Sequence, residues 1–247
     1  MLEEVSGKPR RAILQSNGPY AEAVLASKPV AYWRMEDMNA PKALDASGQN
    51  HHGQYEDLIA LYLDGPGHNS YSGIGKRNRA AHFAGGRLRS RNQTLTGSNY
   101  SVELLLWSGL PADDSDTLGY VLARESEGKQ GDRLSIGGPD NRRNCLMFSA
   151  AGLEQPLFGH LQLHSQGWHH VALVREKEMV RVYLDSALLI EGRAPEASAT
   201  GEFFVGGSQD NSVPFEGKID EVSIYDRALS GDELLNHRHI AAKTVEK

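Results

Sequence analysis

The chain has a single cysteine among its 247 residues, so no intrachain disulfide can form and cysteine usage carries no information about redox compartment. Cys145 lies in "NCLMFSA", a setting that suits a small buried hydrophobe. No apolar run approaches the roughly 18 residues of a membrane-spanning helix, so direct membrane insertion is not expected. The opening "MLEEVSGKPRR" has no apolar leader region, and residues 1–17 read as a linker or the tail of an upstream domain. Basic clusters are scarce as well. The formal charge is −6, and "GKPRR" at 7–11 is too short to neutralise a phosphate backbone. A nucleic-acid partner is therefore not expected. The oligomeric state has no sequence signature.

What is present is a series of short β-like runs broken by Gly, Asn, Asp and Ser. They are "VAYWRM" (30–35), "HGQYE" (52–56), "RAAHFA" (79–84), "YSVELLLW" (100–107), "GYVLARE" (119–125), "DRLSIG" (132–137), "NCLMFSA" (144–150) and "LFGHLQL" (157–163). A meander over 167–192, then "GEFFVGG" (201–207) and "KIDEVSIYD" (218–226), complete the series. No helices are interleaved, which argues against a parallel βαβ sheet. The Gly-rich "GGSQDNSVPFEG" has no helix after it and reads as a loop, not a phosphate cradle. Two helices flank the β region. Pro19 suits a first helical position before "YAEAVLAS" (20–27). In "ALSGDELLNHRHIAA", Ser230 and Glu233 have capping-box spacing, with Leu229 and Leu234 placed as a staple, so 231–241 is helical. The expected fold class is all-β, a two-sheet antiparallel sandwich or jelly roll with short N- and C-terminal helices.

The adjacent histidines of "GWHHVALVREKEMVRVYLDSALLIEG" (167–192) invite a metal or catalytic reading. Strand geometry opposes it, because successive side chains point to opposite faces. Trp168, His170, Ala172 and Val174 share one face and His169, Val171, Leu173 and Arg175 the other, so both histidines read as structural. "EKEM" and "DS" mark turns within this meander. His51 and His52 read as solvated loop residues, and His237 and His239 as surface positions of the last helix.

Four blocks in order, "PVAYWRMED", "LDASGQNHHGQY", the Trp-His-His-Val meander and "FFVGG…FEGKIDEVSIYDRALSGDELL", resemble the laminin-G-like, concanavalin A-like jelly-roll modules of bacterial extracytoplasmic proteins. The resemblance spans about 18–241 and places a module at 18–247. It implies two antiparallel sheets of six or seven strands. It also implies a part of a larger cell-surface or secreted protein that binds glycans or proteins, often with a structural Ca²⁺.

A calcium site has local support. By alternation Asp220 shares a face with Val222 and Ile224, and an inward carboxylate needs a partner. The resemblance pairs it with the "DASGQN" loop, so the candidate oxygen ligands are Asp45, Ser47, Asn50 and Asp220. The loop departs from the common family form, which carries Asn or Asp where His51 and His52 stand.

The same fold hosts glycoside hydrolases, whose retaining members need two carboxyls about 5–5.5 Å apart. The resembled enzymes supply them from alternate residues of one strand, and no Glu-x-Asp-x-Glu pattern occurs here. The alternate acids Asp114/Asp116, Glu125/Glu127 and Glu176/Glu178 fall at turns and read as solvated charge. The expectation is a non-catalytic recognition module for a glycan or cell-surface protein. The alternatives are a passive spacer and, third, a hydrolase. Candidate ligand-binding residues on an open sheet face are Glu103 with Trp107 and Arg181 with Tyr183, the loop 208–216 being the other option.

Overall fold

The computed structural model describes residues 18–67, 70–90, 97–109, 119–126, 128–138, 144–163, 167–197 and 200–242. Residues 1–17, and Asp114, Asp116 and Glu127 of the acidic pairs, lie outside them.

Strands are numbered along the chain. Among the described residues the first sheet has eight strands. Seven run in the order β14 (Ala187–Arg193), β13 (Met179–Leu184), β12 (Trp168–Glu176), β7 (Tyr100–Ser108), β16 (Glu216–Tyr225), β5 (Arg79–Ala84) and β4 (Ile59–Asp64). The eighth, β1 (Ala31–Trp33), also pairs with β16. The second sheet runs β11 (Leu157–Gln162), β10 (Cys145–Ser149), β9 (Lys129–Ile136), β8 (Gly119–Ser126), β15 (Glu202–Val205), β6 (Leu88–Ser90), β3 (Gly53–Tyr55) and β2 (Lys42–Ala43). All of these ladders are antiparallel.

Each sheet has eight strands among the described residues where the resemblance implied six or seven, and β2, β4 and β6 match none of the β-like runs read from the sequence. Two of them have only two and three residues. In β4 the pairing with β5 shifts register between Ala60 and Leu63, and Tyr62 has φ 61°, so no clean alternation exists to be read.

The core lies between the sheets and follows the period of two. Val102, Leu104 and Leu106 of β7 and Val171 and Leu173 of β12 meet Val121, Leu134, Phe148 and Phe203 of the second sheet. The turn from β13 to β14 holds Asp185 at φ 49° and Ser186 at φ 74°, both left-handed, as a two-residue type I′ hairpin requires.

The first sheet is covered on its outer face too. Helix α1 (Pro19–Ala26) starts with Pro at its first position, where the missing N–H is no loss. In helix α2 (Gly231–Ala242) the Glu233 amide donates to Ser230 Oγ at 3.2 Å and the Ser230 amide to Glu233 at 2.9 Å, closing the capping box. Both staple leucines, Leu229 and Leu234, are buried. Two apolar clusters seal the helices to the sheet, one around Tyr20, Val24, Tyr32 and Leu105, the other around Ala172, Val174, Tyr183 and Leu234. Strands β7 and β16 are thus buried on both faces, the reason "VELLLW" reads as an almost continuous apolar run.

Candidate functional site

Both histidines of β12 end on carboxylates. His169 Nδ1 lies 2.8 Å from Asp185, which also accepts from the His170 amide and from Arg238 of α2. Burial would raise the Asp185 carboxyl, but its bond with His169 and these other contacts bring it down to about 2.

His170 points to the outer face and meets Glu103, which is fully buried under the two helices and not on an open sheet surface. Four side chains donate to it: His170 Nε2 (3.1 Å), His237 Nδ1 (2.9 Å), Tyr225 Oη (2.6 Å) and Ser223 Oγ (3.2 Å). Burial alone would raise the Glu103 carboxyl. The hydrogen bonds from His170 and His237 outweigh it and hold Glu103 well below the usual carboxylate range. His237 is 1% exposed, so it is no surface residue; His239 is exposed, as expected.

The other proposed ligand residues do not join Glu103. Trp107 is half-buried with Lys218 over its ring, Tyr183 packs under α2, and Arg181 is held by Glu191 (3.1 Å) and Glu176 (3.3 Å). Glu125 is likewise not solvated: it is buried, with Arg133 Nε at 2.5 Å and the Gln209 amide at 2.7 Å.

The "DASGQN" loop is a closed turn. Asp45 accepts from the amides of Tyr32 (2.9 Å), Ser47 (2.8 Å) and His51 (2.8 Å) and from Ser47 Oγ (2.8 Å). His51 and His52 are half-buried members of this turn, not solvated side chains. The ring of His51 bonds the Val30 carbonyl, and that of His52 accepts the Asp45 amide. Asn50 is exposed at φ 61°. Trp33 pairs with Asp45 on one side and Val222 on the other, so a strand separates this turn from β16.

Asp220 itself occupies a break in β16. Before it the strand pairs with β5, after it with β1, and its register with β7 shifts between Asp220 and Ser223. Glu221, at φ 52°, is the bulged residue. The bulge breaks the alternation that placed Asp220 with Val222 and Ile224. Ile219, Val222 and Ile224 face the interlayer core, while Asp220 lies opposite Leu105 of the outer cluster.

Asp220 and Glu221 are both fully buried. Glu221 is met by the Tyr32 hydroxyl, by Arg34 at 3.3 Å and by Asn78 Nδ2 at 3.3 Å. Arg34 also serves Glu36 at 3.1 Å, so one guanidinium pairs with two carboxylates. Burial and the neighbouring Glu221 push the Asp220 carboxyl well up. Two acceptors, Asp220 Oδ2 and Asn78 Oδ1, are buried without hydrogen-bond partners among the described residues. Gly65 abuts both: a Cβ there would stand 1.8 Å from Asn78 Oδ1 and 3.2 Å from Asp220 Oδ2. Orphan hard oxygens in a region of excess negative charge fit Ca²⁺. Among the described residues no three His, Cys, Asp or Glu side chains form a metal site, so the candidate combines a carboxylate with an amide oxygen. Asn78 and Gly65 had no sequence signal; the Asp-Glu pair in a strand did.

A cavity of about 290 Å³ opens elsewhere, between the β8–β9 hairpin and the chain following β10 and β14. It has a mixed lining that includes Arg124, Lys129, Asp132, Ala151 and Pro195.

The sequence profile of the concanavalin A-like lectin/glucanases superfamily (a laminin G profile) matches residues 84–235, more than half of the chain. The chain belongs to this superfamily. Comparison with curated protein sequences finds no match. Among solved structures, this concanavalin A-like chain is similar to domain 4 of AbnA, a GH43 extracellular arabinanase from Geobacillus stearothermophilus, in complex with arabinotriose. The TM-score is 0.62 at 20% identity, over 85% of this chain and 98% of that one. The binding domain of Paraclostridial Mosquitocidal Protein 1 is similar at TM-score 0.63 and 13% identity, over 87% of this chain and 52% of that one. Trypanosoma rangeli sialidase, in complex with 2,3-difluorosialic acid, is similar at TM-score 0.63 and 14% identity, over 87% of this chain and 33% of that one. At these identities the likeness concerns the fold, which the superfamily uses in binding domains and in proteins that contain glycosidases.

Proposed function

We propose that this domain is a non-catalytic recognition module for glycan or protein ligands, stabilised by a structural Ca²⁺, in a larger extracytoplasmic protein. The observation that carries the recognition reading is the open cavity with its mixed polar and apolar lining, the usual make-up of a small-ligand site. The buried acids support a non-catalytic role. Glu103, Asp220, Glu221 and Glu125 are each at most 2% exposed, whereas glycosidase carboxyls must face the sugar. No described helix is long and apolar enough to cross a membrane. The proteins whose fold it shares include a domain of an arabinanase described as extracellular and the binding domain of a mosquitocidal protein, which is consistent with export.

Ca²⁺ is assigned to Asp220 and Asn78. It would add positive charge beside the Asp220–Glu221 bulge and tie the break in β16 to Asn78 next to β5.

A glycan array and a panel of glycoside substrates test the function together. Binding without hydrolysis supports the module. Turnover lost in a carboxylate variant would replace it with a hydrolase, and neither binding nor turnover would favour a spacer. For the metal, thermal melts in EDTA and in millimolar Ca²⁺ should differ by about 5–10 °C. This follows from roughly 2.7 kcal/mol at a hundredfold excess over Kd. The difference should vanish in Asp220→Ala, and identical wild-type curves with metal-free protein would remove the calcium assignment.

A further inference from the structure

The connection between β4 and β5 spans residues 65–78, long for a hairpin loop, and its two ends meet at the candidate calcium site. The Gly65 amide donates to the Asn78 carbonyl at 3.4 Å, and Asn78 Oδ1 and Asp220 Oδ2 both border Gly65. A loop with its ends held together in this way is an Ω-loop, and Gly65 with Asn78 forms its neck. Asn78 Nδ2 reaches Glu221 at 3.3 Å, but the two orphan oxygens beside it weaken the neck unless a cation joins them. The far part of the loop is no free tip. Ser72–Ile74 forms a 3₁₀ turn that is buried between the ends of both helices. A Cβ on Gly73 would stand 1.9 Å from the Ile240 carbonyl oxygen in the last turn of α2. One on Gly18, just before α1, would stand 2.6 Å from the Ile74 carbonyl oxygen. Backbone therefore meets backbone at both contacts. Tyr71 and Ile74 also join the apolar cluster of Tyr20, Tyr32 and Leu105. The Tyr71 hydroxyl donates to the Trp168 carbonyl at 2.9 Å, and Arg238 of α2 lies over the Tyr71 ring at 4.9 Å. One loop thus connects the β16 bulge with α1, α2 and the start of β12.

We propose that this loop is a strap whose neck Ca²⁺ clasps, so that metal occupancy controls how firmly the two helices sit on the first sheet. This rests on the calcium assignment above and gives that site a regulatory consequence. A metal that binds only the closed neck makes each opening of the strap rarer, in proportion to the excess of free Ca²⁺ over Kd. By linkage, well-seated helices favour metal binding to the same extent.

Amide hydrogen exchange read by mass spectrometry would compare the full chain in EDTA and in Ca²⁺ at about a hundred times its Kd, where strap opening should slow about a hundredfold. Exchange should slow together over residues 65–78 and over the last turn of α2. The β13–β14 hairpin, at the opposite edge of the sheet from β4, should keep its rate. Cleavage by the protease Lys-C after Lys76, an exposed residue of the strap, should fall by the same factor. Asp220→Asn should remove all of these calcium effects. Equal slowing at all three places would mean that calcium stabilises the domain as a whole, and slowing in the loop alone would mean that the helices are not coupled to it. Either result overturns the strap while the calcium assignment stands, as does unchanged exchange alongside a calcium-dependent melting shift. Without any melting shift the calcium assignment and the strap fall together.

Discussion

The outer layer of the first sheet contains two buried carboxylate centres with opposite imbalances. At Glu103 one carboxylate receives four donors from β12, β16 and α2. At the β16 bulge, Glu221 and Glu36 share Arg34, and two further oxygens, of Asp220 and Asn78, have no donor among the described residues. The first centre is complete without a ligand and fastens the C-terminal helix to the sheet. The second is short of positive charge, and the proposed Ca²⁺ rests on that imbalance. Burial alone therefore does not distinguish a structural acid from a ligand-binding one. The count of donors against acceptors does.

The largest effect should come from emptying the saturated centre. Glu103→Ala leaves His170, His237 and Tyr225 buried around a gap, and removing one partner of a buried ion pair costs about 3–5 kcal/mol. For a chain of this size that lowers Tm by roughly 6–20 °C. Chemical denaturation would measure it. A loss below about 1 kcal/mol would mean that the network contributes little.

At the deficient centre the sign should reverse. Asp220→Asn removes a charge that burial and Glu221 disfavour, so in EDTA the variant should melt at or above the wild-type temperature. In millimolar Ca²⁺ the order should invert, because wild type alone gains about 5–10 °C from the metal. A variant that melts lower than wild type in EDTA would show that the bulge is balanced as it stands.

Acidity gives a third contrast. The Glu103 pKa is depressed on folding, so its contribution is present above the unfolded value near 4.3 and is lost as pH falls below it. For His237 burial lowers the pKa, but the bond to Glu103 outweighs it and the net shift is upward. Its contribution is therefore complete below about 6.5 and fades as pH rises through the raised folded value. The stability difference between wild type and Glu103→Gln should peak between about pH 4.5 and 6.5. A difference that stays flat from pH 4 to 8 would contradict this linkage.

Much of the fold was legible because its signals are local. The limits of β5 coincide with "RAAHFA", and the Ser230–Glu233 capping box closes as its spacing predicts. The sites were less legible because they depend on distant covering elements and on one inserted residue. Glu103 lies on the less apolar face of its own strand, and only the packing of α1 and α2 makes that face interior. A clue was available: "VELLLW" is apolar on both faces, and His237 falls on the buried Leu234–Ala241 stripe of α2. The bulge at Glu221 left no comparable mark, so alternation put Asp220 on the wrong face. Asn78 is far from Asp220 in sequence and joins it only through the pairing of β5 with β16.

The smallest test compares the edges of the two centres. Ser27 Oγ lies 2.9 Å from His237 Nε2 and completes the outer end of the Glu103 network. Ser27→Ala should cost about 1 kcal/mol, the usual worth of one such bond. Glu36 is the most exposed acid around Arg34, and burial raises its carboxyl. Glu36→Gln in EDTA should change stability by less than about 0.5 kcal/mol, because an exposed-edge ion pair is worth little and Glu221 still holds the guanidinium. Both variants lose one polar contact of Arg34 or His237, yet only the one at the donor-rich centre should register. Equal losses would mean that the two centres differ less in charge balance than their geometry indicates.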